Sequence, residues 1–289
     1  MDIDYVVPMV FDDDVLWQKA FCQSRHLLRY SVGSNVRFRS WGLEQLLVRC
    51  IRKFMPFVRT IYIILSHESQ KKPWMNEEGI RVVYHDSIIP KQYLPCFNSC
   101  TIEMYVPFIR RLSEHFIYAN DDMFPVSPMV VSDFFRNGLP VQQLKERSFP
   151  ESMNIFHAKC KKQQDLVSGA FGINLGYKWL HNGHGLSPLL KSSCIEARKR
   201  FDAEITKGIT FNRSETSYNQ YLYVIWQYFT GKYVSGRAAT TYLSVKNQIQ
   251  YVEDTLRQAR GIVCINDNEC VHDIKGYADA VKKVLEERL

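Results

Sequence analysis

Three short apolar runs in this chain each break off directly into an acid-bearing loop, and that arrangement restricts the fold more than any other feature. Tyr5–Phe11 runs into Asp12-Asp13-Asp14, His115–Ala119 into Asn120-Asp121-Asp122, and Ile262–Ile265 into Asn266-Asp267-Asn268. Short runs of β-branched and apolar residues read as buried strands. Thr60–Ser66 and Arg81–Tyr84 supply two more. Between them lie stretches with helical spacing. Trp41–Phe54 carries Leu43, Leu46, Leu47, Cys50, Ile51 and Phe54 on one stripe and is stopped by Pro56; Thr101–Leu112 is interrupted at Pro107; Asp273–Glu287 closes the chain. Strands alternating with amphipathic helices specify an α/β fold.

The texture changes over about 175–235. Ser187-Pro188 reads there as a helix N-cap followed by proline at the first helical position, with a helix to about Ile205 and a second from Ser217 to Phe229. The chain has 289 residues, 46% of them hydrophobic. Repeats, low-complexity tracts and Gly/Ser linkers are absent from the sequence, so a single domain over 1–289 is expected. Its core strands fall in about 1–150 and 236–289, with a mostly helical insertion at about 175–235.

Thirty-seven Lys and Arg against 30 Asp and Glu give a formal charge of +7, which suits an anionic partner. The charge is spread along the chain without a polybasic tail. A phosphorylated small molecule therefore serves as well as nucleic acid, and no nucleic-acid partner is expected. The eight cysteines are irregularly spaced and form no CxxC pair, so free thiols in a reducing compartment are expected. Cys264, Cys270 and His272 lack the second pair that would complete a zinc site. The opening MDIDYVVPMVFDDD is acidic where an export signal is basic, and no apolar stretch reaches the roughly 18 residues of a spanning helix. A cytoplasmic protein is expected, lying at most peripherally at the inner face of a membrane.

The chemistry follows from the strand ends. Ligands of open α/β sheets bind beyond the carboxyl ends of the strands, and carboxylates that face one crevice repel each other unless a cation lies between them. Oxygen donors favour a hard ion such as Mg²⁺, which also binds substrate phosphates. Each acid taken alone can equally cap a helix or close an Asx turn. Arg213, in FNRSE, precedes a helix whose free N–H groups attract anions. His184, in HNGHG, lies on a glycine-flanked turn, with His181 as its competitor. His67, His85 and His115 flank strands and read equally as packed or capping residues. Arg37 and Arg39, in VRFRS, are either phosphate ligands or part of a solvated face.

Taken together, RFRSWGLEQLLVRCIRKFMPFVRTIYIILS, VVYHDSIIPKQYLPCFNSCTIE, LSEHFIYANDDMFP and DFFRNGLP, in that order, closely resemble the long central block of the stealth family. That family holds bacterial capsular polysaccharide phosphotransferases and the catalytic part of the lysosomal-enzyme N-acetylglucosamine-1-phosphotransferase. IDYVVPMVFDDDVLW resembles its opening block, HGLSP with FNRSETSYNQ its third, and VCINDNECVHD its last. The resemblance implies a GT-A-like, Rossmann-type core sheet with Mg²⁺ (or Mn²⁺). It implies transfer of hexose-1-phosphate from a UDP-GlcNAc-like nucleotide sugar to a glycan hydroxyl, with release of a nucleoside monophosphate, in capsular or cell-surface polysaccharide synthesis. The partners would be that donor, a polysaccharide acceptor and a capsule assembly complex.

Carried over by position, the resemblance implies catalytic roles for His184, Arg213, Asp122 and Asp267. It implies substrate contacts from Arg39, Asp14, Asn98, Asn120 and Asn266, and metal contacts from Asp121, Asp122, Asp267 and Asn268. His184 would take the acceptor's proton, and Arg213 would clamp the transferred phosphate bidentately. Three departures stand out: Phe11 replaces the first acid of the opening block, Ser40 replaces an acid after Arg39, and the His-x-Pro element is stretched to His184–Pro188. An ordinary GT-A glycosyltransferase releasing a nucleoside diphosphate, and a non-catalytic scaffold of a capsule assembly complex, are the competing readings.

Overall fold

A computed structural model describes residues 1–24, 38–211, 214–236, 238–267 and 273–289. In chain order the strands are β1 Ile3–Pro8, β2 Val58–Leu65, β3 Ile80–Tyr84, β4 His115–Tyr118, β5 Met123–Pro125, β6 Phe135–Arg136 and β7 Leu139–Gln142. They continue with β8 Lys145–Ser148, β9 Lys178–His181, β10 Ser187–Leu190, β11 Val234–Ser235, β12 Thr240–Ser244 and β13 Ile262–Asn266. The helices are α1 Val15–Gln23, α2 Glu44–Phe54, α3 Ser99–Tyr105, α4 Ile155–Gly169 and α5 Lys191–Arg200. After them come α6 Asp202–Lys207, α7 Tyr221–Phe229, α8 Ile249–Gln258 and α9 Ile274–Arg288.

A five-stranded sheet in the order β3-β2-β1-β4-β10 forms the centre, parallel except for β10 at one edge. This is the Rossmann-type α/β core expected from the sequence. Successive side chains of a strand point to opposite faces, and both faces here are covered. Tyr5, Val7, Ile61 and Ile63 pack with Leu47 and Ile51 of α2 and Val281 and Leu285 of α9. Val6, Tyr62, Ile64 and Phe116 pack on the other side with Ile102 of α3, Ala197 of α5 and Leu222 and Ile225 of α7. Burial on both faces is why these strands read as continuous apolar runs rather than alternating ones. Among the described residues, no helix is long and apolar enough to cross a membrane.

One expected element is corrected. Ser187-Pro188 opens no helix: Ser187–Leu190 is β10, paired antiparallel with β4, and the helix begins only at Lys191. A proline is tolerated there because β10 is an edge strand. The 175–235 stretch thus adds a strand to the central sheet as well as α5, α6 and α7. Ile262–Ile265 is the strand expected, within β13, and lies in a second sheet ordered β12-β13-β5.

That second sheet determines where the acid loops meet. The chain leaves the central sheet at Ala119, whose N–H donates to Val6 O (3.0 Å), and enters the second sheet at Met123. Asn120-Asp121-Asp122 is therefore the corner between the two sheets. In the antiparallel pairing of β13 with β5, Cys264 lies opposite Met123 and Ile265 N donates to Asp122 O (2.9 Å). The end of β13 is thereby set beside Asp122.

Gly261 makes this approach feasible. Its φ is +73°, and a Cβ there would lie 2.4 Å from Ala239 O, while its N–H donates to Ser127 Oγ (2.8 Å). Gly261→Ala combines a left-handed backbone with a steric clash and is expected to cost roughly 2–4 kcal/mol. Urea unfolding measures the loss; stability within 0.5 kcal/mol of wild type, about the spread of neutral substitutions, would show that β13 does not depend on this contact.

Candidate active site

Asp122 stands at the centre of the corner, and its two carboxylate oxygens differ. Oδ2 accepts from Cys264 Sγ (3.3 Å) and from Asn266 Nδ2 (3.4 Å). It lies 3.9 Å from His184 Nε2. Oδ1 is buried and has no hydrogen-bond partner among the described residues. Burial first, and then the Asp122 charge and hydrogen bond, hold the Cys264 thiol far above its ordinary range, so its S–H is kept as a donor. His184 follows Gly183, whose φ of +72° turns the chain back. Its half-exposed imidazole stacks edge-on against Tyr242 (5.7 Å), and Tyr242 is the cross-strand neighbour of Cys264. His181 packs edge-on against Trp179 instead (4.4 Å).

Arg39 and Asp267 form the second part of the site. The guanidinium donates bidentately, Nε to Oδ2 (2.9 Å) and Nη2 to Oδ1 (2.6 Å), and Trp41 Nε1 adds a third bond to Oδ2 (2.7 Å). Fork-to-carboxylate pairs are strong and directional, and both partners are largely buried. Arg39 is aimed by its neighbours: Phe38 packs on Trp17 (5.3 Å) and Phe21 (5.2 Å), and Ser40 N donates to Asp12 Oδ1 (3.1 Å).

Several residues expected at the site do other work. Both oxygens of Asp267, expected as a metal contact, accept from Arg39 and Trp41. Asp14 is the N-cap of α1, accepting from Trp17 N (2.6 Å) and Ser69 Oγ (3.0 Å). Asn98, expected as a substrate contact, is fully buried. Its Oδ1 caps α3 through Cys100 N, and its Nδ2 donates to Thr210 O, Thr210 Oγ1 and Ser217 Oγ, each at 3.1 Å. It ties down the two flanks of the segment that carries Arg213. Arg213 itself lies outside the described residues, as do Asn268 and Arg37. Asn120 accepts weakly from Tyr118 OH (3.4 Å), and Asp121 is exposed. Phe11 is buried, with the Lys72 ammonium 4.5 Å above its ring.

Three further histidines that flank strands have structural partners. His67 caps a short helix through Ser69 N, His115 packs on Phe135 and reaches Gly138 O, and His85 is buried, which pushes its pKa down to about 4. All seven described cysteines are free thiols. Sequence reasoning set Cys264 aside with Cys270 and His272, and missed Trp41 and Tyr242. Trp41 carried a signal, two residues after Arg39; Cys264 and Tyr242 enter the site through strand register.

Asp122, His184 and Cys264 together form a group whose ligand atoms lie within 4.8 Å of one another. A carboxylate oxygen with no hydrogen-bond partner among the described residues, at the corner of two sheets, suits a divalent ion.

The chain is similar to known proteins over nearly its whole length. A family model described as Stealth protein CR2, conserved region 2, matches residues 37–142. The receptor polysaccharide phosphotransferase WefC of Streptococcus gordonii is 30% identical, aligned over 94% of this chain and 92% of its own. The capsular polysaccharide phosphotransferase WcwK of Streptococcus pneumoniae is 26% identical over 99% and 95%, and LcbA of Aeromonas hydrophila 29% over 86% and 72%. Among solved structures, the galactosyltransferase LgtC in complex with donor and acceptor sugar analogs aligns with 99% of this chain and 96% of its own, at 9% identity and a TM-score of 0.45.

Asn98→Ala removes a helix cap and strands buried partners in the Thr210–Ser217 segment. It is expected to cost about 2–4 kcal/mol and to make that segment more sensitive to proteolysis. An unchanged unfolding midpoint would contradict the scaffold role.

Proposed function

The chain belongs to the stealth family of polysaccharide phosphotransferases, and on that premise we propose that it moves a sugar-1-phosphate from a nucleotide sugar to a hydroxyl of a capsular or cell-surface polysaccharide. It is a phosphotransferase. The observation that carries the finer reading is the meeting of His184 with Asp122, 62 residues apart in sequence and 3.9 Å apart in space. In this reading the acceptor oxygen attacks the phosphorus next to the sugar. His184 Nε2 or Nδ1 takes the acceptor's proton, and the Asp122 carboxylate stabilises the imidazolium that results. The phosphorus–oxygen bond to the second phosphate breaks, and a nucleoside monophosphate leaves.

Asp122 Oδ1 is the atom best suited to hold a divalent ion, Mg²⁺ or Mn²⁺, with Asn120 and Asp121 beside it. Bound there, such an ion would neutralise charge on the donor diphosphate. Arg39, fixed by Asp267 and Trp41, supplies a preorganised cation on the Asn266 side. Arg213 is proposed as the phosphate clamp on sequence grounds alone. The polysaccharide named for the relatives also suggests association with a membrane or a capsule assembly complex.

If His184 is the base, His184→Ala should lower transfer by roughly 10²- to 10⁴-fold while donor binding by calorimetry stays within a few-fold of wild type. His181→Ala should be nearly silent. An active His184 variant, or one that fails because the donor no longer binds, would move His184 to a positioning role.

A further inference from the structure

The donor set around Asp122 contains a sulfur, and a hard ion does not explain it. Cys264 Sγ, Asp122 Oδ2 and a ring nitrogen of His184 come from three separate elements: β13, the corner before β5, and the loop after Gly183. We propose that Asp122, His184 and Cys264 form a binding site for Zn²⁺, and that Zn²⁺ held there blocks transfer.

The geometry supports a tetrahedral ion. Zinc binds thiolate sulfur at about 2.3 Å, imidazole nitrogen at about 2.0–2.1 Å and carboxylate oxygen at about 2.0–2.2 Å, which sets ligand-to-ligand edges of about 3.3–3.7 Å. The separations present are 3.3 Å from Cys264 Sγ to Asp122 Oδ2 and 3.9 Å from Asp122 Oδ2 to His184 Nε2. All three ligand atoms lie within 4.8 Å of one another, so the site closes as the imidazole and the thiolate draw in on the ion. Three protein ligands leave a fourth position open, on the side where His184 is half exposed.

Outer contacts orient the ligands as metal sites require. Asn266 Nδ2 donates to Asp122 Oδ2, and the Tyr242 ring fixes the imidazole from one side. Ligand softness then selects the ion. Thiolate and imidazole favour Zn²⁺, whereas Mg²⁺ gains nothing from sulfur. As the zinc–sulfur bond forms, the thiol proton, now donated to Asp122, leaves to solvent, so binding releases one proton.

Binding itself does not depend on the proposed function. Its inhibitory effect does, because zinc inhibits by occupying the lone pair that His184 would use as base. Cys264 was unpromising in the sequence because its neighbours Cys270 and His272 suggested the wrong partners.

Cobalt reports the ligands directly. Metal-free protein titrated with Co²⁺ should develop a thiolate-to-cobalt charge-transfer band that Zn²⁺ then removes. Cys264→Ser should abolish the band, and Cys22→Ser and Cys270→Ser should keep it. His184→Ala, which alters no core packing, should weaken Co²⁺ and Zn²⁺ binding by more than the roughly 10- to 100-fold that loss of an outer contact costs. Absence of the band in wild type, or its persistence in Cys264→Ser, overturns the site. A cobalt band of this kind with transfer undiminished by saturating Zn²⁺ leaves the site standing, and overturns both the inhibition and the assignment of His184 as base.

Discussion

The pairing of β13 with β5 is the constraint on which the site depends. One backbone bond, Ile265 N–H to Asp122 O, joins the end of the second sheet to the corner where the chain leaves the first. With the β13–β5 pairing it sets Cys264 and Asn266 beside Asp122, where both donate to Oδ2. The parallel pairing of β1 with β4 supplies the other half, setting the loops after Pro8 and Ala119 on one edge. Two sheets meeting at a corner hold acids more rigidly than loops alone can, and rigidity is what electrostatic stabilisation of a transition state requires.

Within that frame, the acids divide their work according to their partners. Asp267 is saturated by a bidentate guanidinium and an indole N–H, so its charge is spent in orienting Arg39. Asp14 is spent on a helix start. Asp122 alone combines an oxygen with no partner among the described residues with an imidazole and a thiol at contact distance. The three acid loops look equivalent in sequence, and hydrogen-bond satisfaction tells them apart.

Much of the fold was legible because buried strands and amphipathic helices leave periodic signals. Val58–Leu65, Ile80–Tyr84 and the helices ending at Phe54 and Arg288 lie within a few residues of where the patterns place them. Ser187-Pro188 misled because a local capping signal is weaker than the pairing offered by an open sheet edge beside β4. At the site, a motif and not periodicity singled out His184 over His181; the Arg39–Asp267 pair spans 228 residues and leaves no local trace. Asn98 illustrates the same limit: the residue was legible, but its burial under the Thr210–Ser217 segment is a property of the packed chain.

The identity of the released nucleotide distinguishes attack at phosphorus from attack at the sugar carbon. Wild-type protein incubated with a nucleotide sugar, a divalent ion and a polysaccharide acceptor should release the nucleoside monophosphate, with the sugar joined to the acceptor through a phosphodiester visible by phosphorus NMR. Release of the nucleoside diphosphate, with a glycosidic bond and no phosphorus in the product, would contradict attack at phosphorus and place this site among glycosyltransferases.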